Sequence, residues 1–362
     1  SLTENKVLLG LTFSVGTIFV FLFSIFIGRK SATMSKKKLA LIGLIAGIFY
    51  PLIYASSLNV FQYMFGRAAW AIAGVSSGVM IDSLFQDLIA KRKNIAEITG
   101  WRFSLQSICG TLAALAGGAV ADVYGLKMPY YLVIFSYLLA LSLFVIFIYR
   151  KIENNEKIVK LKKLGLRASV QNMLSSPLLF LRVFLEGITQ SHWVMEPIIF
   201  PLIIYSMTGK NFYTGLVFAL MGVIVAIVFP AVGKYMDKNS SIKGYKIAFI
   251  LYTIALLICF FSEDLVVFTI GALMLSLGKA FNGLSATKIE IRKIKDENRG
   301  EYLSYIKSYD TATAAVTALI IGLLLKFFSP QYVLLIFALV TAVGGLVGFR
   351  LFALRKQQSE VN

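Results

Sequence analysis

The chain has 362 residues, of which 58% are hydrophobic and 15% charged, and its mean hydropathy is +0.77. That composition excludes a soluble globular domain and describes an integral membrane protein. The net charge of +18 raises nucleic acid as a partner, but the placement of the basic residues rejects it.

A helical span needs about 20 apolar residues, and the apolar runs here are too long for barrel strands. The sequence predicts eleven spans, at residues 7–27, 39–57, 60–85, 103–121, 129–149, 178–205, 212–232, 246–262, 265–287, 310–328 and 331–352. Of the 36 Lys and Arg residues, 28 fall in alternate loops: 29–38, 91–93, 150–167, 234–246, 288–307 and the tail 350–356. The positive-inside rule makes these loops cytoplasmic, with the N-terminus outside and the C-terminus in the cytoplasm. The expected location is the cytoplasmic (plasma) membrane, with multiple passes.

The long polar interval from Arg150 to Arg167 divides two similar halves. At a shift of 205, Gly10 meets Gly215 and Gly28 meets Gly233; at 204, Lys6 meets Lys210, Glu97 meets Glu301 and Gly118 meets Gly322. Agreement on nearly one offset indicates duplication. The expected organisation is an N-terminal bundle over 1–149, a basic linker over 150–172 and a C-terminal six-helix bundle over 173–362. Under that offset the span 178–205 has no first-half counterpart. The expectation is therefore a twelve-span protein lacking its first helix here.

The ends of corresponding helices carry related motifs. Gly28 and Arg29 lie in FIGRK, and Gly233, Asp237 and Lys238 lie in VGKYMDK. With the two halves and their basic connection, these residues resemble the major facilitator superfamily, whose loop after the second helix of each half reads approximately G-x-x-x-D-(R/K). The second half matches; in the first, Ala32 occupies the acidic position. The resemblance implies an all-α integral membrane fold of two bundles, built from inverted and tandem repeats. It also implies that Asp237 holds a neighbouring helix end or an Arg as part of a cytoplasmic gate. The passage SGVMIDSL, EITGWRFSL and LAGG is similar to the exporter-like branch, although only Gly117 and Gly118 of its G-P-x-x-G-G pattern are present.

Charged residues inside apolar spans provide the functional candidates, because an intramembrane charge must be paired or hydrated. In chain order, Arg67 shares a helical face with Ala71, Gly74 and Gly78, and Asp82 lies close to it. The glycines either permit close packing or leave room for a ligand. On the most polar span, Arg182, Glu186, Thr189, Trp193 and Glu196 form one stripe, flanked by Gln190 and His192. Arg182 and Glu186 are spaced to pair with each other, and Pro197 is positioned to break the helix. Trp193 is either a packing residue or a wall for a cationic or amphipathic ligand. Lys279, near Ser276 and Asn282, needs an acid partner, for which Glu196 and Glu186 are candidates. Asp310 is expected at a helix end or gate.

The resemblance further implies that spans 60–85, 178–205 and 265–287 line a central pathway. The resulting expectation is a monomeric secondary transporter exporting amphipathic compounds, with Glu186, Glu196, Asp82, Arg67 and Lys279 as coupling candidates. Its partners are a small-molecule substrate, protons and the lipid bilayer. Uptake of a nutrient or organic anion and a non-transporting receptor remain alternatives. There is no nucleotide-binding loop, zinc helix or nucleophile elbow. No enzyme activity, cofactor or metal is expected, and Cys109 and Cys259 suggest no disulfide framework.

Overall fold

The computed structural model describes residues 6–31, 34–125, 127–150, 171 and 174–361. Among them are eleven long helices and no strand. These are α1 (Lys6–Ser31), α2 (Lys36–Ser56), α3 (Val60–Ile89), α4 (Ile95–Tyr124), α5 (Met128–Tyr149) and α6 (Pro177–Thr208). They continue with α7 (Asn211–Lys238), α8 (Ser241–Phe261), α9 (Leu265–Lys293), α10 (Arg299–Leu324) and α11 (Pro330–Val361). Seven helices among the described residues are long and apolar enough to cross a membrane by length and composition alone. Of the expected linker, only Arg150 and Gln171 are described; Ala32 also lies outside the described residues.

Several helices extend past their expected spans, because hydropathy marks the lipid-facing part whereas capping and propensity set the ends. Helix α4 begins at Ile95 and α10 at Arg299. Asp310 therefore stands inside α10 rather than at a helix end. Pro177 opens α6, where its missing N–H costs no helical bond. Gly209, at φ 67°, closes that helix in the left-handed conformation glycine tolerates. Contrary to the expectation of a break, α6 continues through Pro197 and Pro201. Proline removes one backbone bond, but in a packed membrane bundle the helix need not end there.

Contacts group the residues into two compact units. The first comprises Ser1–Leu88, Ala114–Ser169 and Ile294–Ala315; the second comprises Ile89–Ala113, Val170–Lys293 and Val316–Asn362. Helices α4 and α10 each contribute one end to each unit.

In the first unit, Leu39, Ala40 and Leu44 of α2 and Ala71, Ala73 and Val75 of α3 are buried. Gly43 lies so close to the α3 backbone at Ser76 and Ser77 that no side chain fits. Here α3 passes through a π-helical segment, Gly74–Val79. Large apolar residues such as Phe61 and Phe65 point outwards, which suits lipid rather than water.

The second unit has a core of Met195, Ile199, Phe200, Phe268 and Leu275 with neighbours from α7, α8 and α11. A different seam joins α4 to α7 within this unit. Pro230 cannot donate to the Ala226 carbonyl one turn earlier, and Ser104 of α4 donates its hydroxyl to that carbonyl. Ser107 donates likewise to the Gly222 carbonyl at 3.0 Å. At the helix ends a Cβ on Gly233 would lie 2.5 Å from the Ala96 carbonyl oxygen, so the close approach requires glycine.

Candidate functional site

The second unit gathers most of the charged stripe on α6. Arg182, Glu186, Thr189 and Glu196 are buried, whereas Trp193 is 55% exposed. The stripe is thus closed along most of its length and open at its tryptophan. Lys279, projecting from α9, places its Nζ 2.5 Å from Glu196 Oε2. The same ammonium stands 4.0 Å from the centre of the Trp193 ring, within cation–π range. The second Glu196 oxygen, Oε1, is buried and receives no hydrogen bond among the described residues.

About three to four turns from Glu196 towards the start of α6 lies another charged cluster. Arg182 donates from Nε to Glu290 Oε1 at 2.8 Å and also brings Nη2 within 2.8 Å of that oxygen. Its Nη1 lies 3.6 Å from Glu186 Oε2. Gln190 donates to Glu186 Oε1 at 2.8 Å. The expected Arg182–Glu186 pairing is therefore secondary to Arg182–Glu290. The sequence reading missed Glu290 because it sits among the basic residues that define cytoplasmic topology. Its spacing after Lys279 on α9, eleven residues or three helical turns, was the available signal.

The remaining candidates divide between this site and structural roles. His192 is buried, with Nε2 2.8 Å from Thr341 Oγ1 and its ring edge-on to Tyr252. Its Nδ1 has no hydrogen-bond partner among the described residues. Thr189 and Ser276 donate to carbonyls of their own helices, at Glu186 and Ala272. Asn282 is buried one turn beyond Lys279, with an unbonded side-chain oxygen.

In the first unit, Arg67 lies 4.8 Å from the Trp70 ring centre, and its side chain approaches Gly16 so closely that a Cβ there would meet Nε at 2.7 Å. Beyond it, Tyr54 stacks on Tyr63 with ring centres 4.3 Å apart and meets Tyr130 at 5.3 Å. A Cβ added at Gly74 or Gly78 would meet no atom of the described residues within 4 Å. These glycines leave open space rather than admitting a neighbouring helix. Asp82 is partly buried in the same helix.

At the motif residues, Asp237 accepts hydrogen bonds from the backbone N–H groups of Ala96 at 2.8 Å and Glu97 at 2.9 Å. It caps the start of α4, where free N–H groups and the helix dipole favour a carboxylate. Lys238 ends α7. Buried Lys288 reaches the end of that helix, donating to the Met236 carbonyl and to the Asn239 carbonyl at 2.9 Å. On the first-half counterpart, a Cβ on Gly28 would lie 2.8 Å from Ser304 Cβ, and Arg29 lies beside Glu301 and Tyr305. Fully buried Arg299 pairs with Asp87 and, at 2.7 Å, Asp296. Lys36 adds a second contact to Asp87 at 2.6 Å. Lys36 and Arg299 were counted in the sequence only as topology signals, and Asp87 and Asp296 were not singled out.

Comparison with known proteins adds lineage to this geometry. The Major Facilitator Superfamily profile matches residues 2–287 and 240–362. A protein named multidrug resistance protein MdtG from Citrobacter koseri is 25% identical over 314 residues, covering 83% of this chain and 74% of that relative. MdtG from Salmonella arizonae is 26% identical over 260 residues, and the chain spans 61% of its length. Among solved structures, a bacterial homologue of the iron transporter ferroportin aligns with a TM-score of 0.75 and 15% identity, covering 98% and 91% of the two chains. The human organic anion transporter MFSD10 aligns with a TM-score of 0.67 and 18% identity, covering 93% and 82%.

Proposed function

The chain belongs to the major facilitator superfamily, a family of transporters rather than enzymes, and on that premise we propose that it exports amphipathic small molecules in exchange for protons. The buried Glu196–Lys279 pair beside exposed Trp193 carries this reading. A carboxylate neutralised by an ammonium is stable in a low-dielectric bundle, and the same carboxylate can instead be neutralised by a proton. A cationic ligand and a proton compete for it, so occupancy by one promotes release of the other. Coupling follows when the competing states are exposed on opposite membrane faces. Glu186 is a second carrier; Asp82 and Arg67 contribute from the first half, and Thr189, Gln190, His192, Ser276 and Asn282 shape the substrate environment. Asp237 and its helix cap act in the gate.

The names of the MdtG relatives support efflux as the direction. We assign the protein to the cytoplasmic membrane as a monomer, with its C-terminus inside and its two bundles divided at the basic linker. The competing reading, proton-coupled uptake of an organic anion, favours cationic side chains as anchors. Pairing of Lys279 with Glu196 removes one of its anchors. To distinguish the readings, proton flux in liposomes is measured as amphipathic cations, organic anions, peptides and sugars are added in turn. Flux triggered by amphipathic compounds supports export; flux triggered only by a nutrient supports uptake; silence favours a non-transporting receptor.

A further inference from the structure

We propose that the Glu196–Trp193 site recognises a protonated amine on an amphipathic substrate, and that Lys279 occupies the site as a tethered substitute when substrate is absent. This deepens the proton-exchange reading and rests on Glu196 as its acceptor. The motivating observation is that Lys279 is not presented as a free anchor for an anion. Its alkylammonium is itself held as a ligand, with carboxylate Oε2 at 2.5 Å and an aromatic face at 4.0 Å.

The site has unused capacity for a hydrogen-bond donor. Glu196 is 5% exposed and its Oε1 has no hydrogen-bond partner among the described residues. Pro197 also withholds the N–H that would bond the Trp193 carbonyl in an uninterrupted helix. Carboxylate oxygens accept hydrogen bonds, and a tryptophan face attracts cations. An anionic headgroup satisfies neither feature. The 55% exposure of Trp193 leaves its apolar ring accessible to the body of such an amine.

Displacement is feasible because the lysine stem is flexible and its ammonium is strongly hydrated once it reaches water. The tether makes the substitute a competitor at an effective concentration on the order of millimolar. Between substrate departure and proton arrival, Lys279 neutralises Glu196. An unpaired buried carboxylate is thereby avoided without requiring substrate or proton at every moment.

The test uses N,N-dimethyl-1-naphthylmethylamine, cationic at pH 7, and naphthalene-1-sulfonate as an anion of similar apolar size. Calorimetric binding to the full chain is compared with Lys279→Met. The proposal predicts about tenfold tighter amine binding in the variant, since the tethered competitor has gone, with no gain for the sulfonate. Weaker amine binding, no amine binding to either protein, or sulfonate binding lost with Lys279 would overturn it. A second measurement uses the unmutated protein: saturation with this tertiary amine should increase reductive methylation of Lys279 several-fold, measured by peptide mass spectrometry. Protection or no change also overturns the proposal. If Glu196→Gln leaves proton-driven export intact, the underlying transport reading fails. If it abolishes driven export but Lys279→Met weakens amine binding, only the substrate assignment fails.

Discussion

The helix ends after Gly28 and Gly233 are related by the sequence repeat, yet they use charge in different ways. After Gly233, one carboxylate, Asp237, caps two backbone N–H groups of α4. After Gly28 the corresponding acid is replaced by Ala32, and the first unit instead contains an ion cluster of Lys36, Asp87, Asp296 and Arg299. The same close glycine contacts occur in both, at Ala96 for Gly233 and Ser304 for Gly28. Both glycines thus sit in close helix contacts, against a backbone carbonyl at Gly233 and a side chain at Gly28, while the electrostatic fastening differs. A backbone cap has fixed donors and works with the helix dipole; an ion cluster depends on several side chains and incurs a greater penalty when one partner disappears.

Breaking the two fastenings should expose that difference. Arg299→Met leaves Asp87 and Asp296 without a fully buried cation and should lower stability by about 3 kcal/mol. Asp237→Ala leaves two N–H groups at the start of α4 uncapped and should cost about 1–2 kcal/mol. Thermal unfolding in one detergent compares them directly. Equal losses, or a larger loss at Asp237, would contradict the distinction.

The α4–α7 seam provides a smaller and sharper comparison. Ser104→Ala should cost about 1 kcal/mol, because it removes the donor to the Ala226 carbonyl. In a Pro230→Ala background, the restored backbone N–H can serve that carbonyl, and the effect of Ser104→Ala should shrink towards zero. Unfolding of the two single variants and the double variant measures this coupling. Additive losses would remove the assigned relation between serine and proline.

Glu97 and Glu301 sharpen the comparison again, since they coincide in the repeat but have different surroundings. Glu301 precedes the predicted 310–328 span and is buried; burial raises its carboxyl above the ordinary range, while the Tyr305 hydrogen bond and nearby Arg29 counter the rise. A raised acid favours its neutral form in the folded protein. Its stability contribution is present below the unfolded carboxylate range and lost as pH rises through the folded value. Glu301→Gln should consequently flatten part of the mildly acidic pH–stability profile, read from melting temperatures, more than Glu97→Gln does. Matching profiles would show that burial at Glu301 has no such consequence.

The membrane spans were legible because apolar length expresses a bilayer requirement, and Lys279 was legible because a cation inside such a run demands an acid. Glu196 and Glu186 could therefore be named as its candidate partners, and Glu196 is the one that pairs. Glu290 and Arg299 were obscured by a different feature of the same chain: basic segments report topology without revealing which ions become buried. Ser104 was also hidden, since its bond to an orphaned carbonyl depends on α4 packing beside Pro230. Pro197 gave the converse case. Its local chemistry led to the expectation of a break, but the surrounding bundle allows α6 to continue to Thr208.

Glu196 is central to the transport account, and the most direct measurement compares Glu196→Gln with the unmodified protein in liposomes, following both proton-driven export and substrate exchange without a proton gradient. Glutamine retains an acceptor and similar shape but cannot alternate between carboxylate and carboxylic acid. The account predicts loss of gradient-driven export, with exchange weakened because the ammonium has lost its anionic partner. Unchanged proton-driven export would contradict the assignment of Glu196 as the coupling residue.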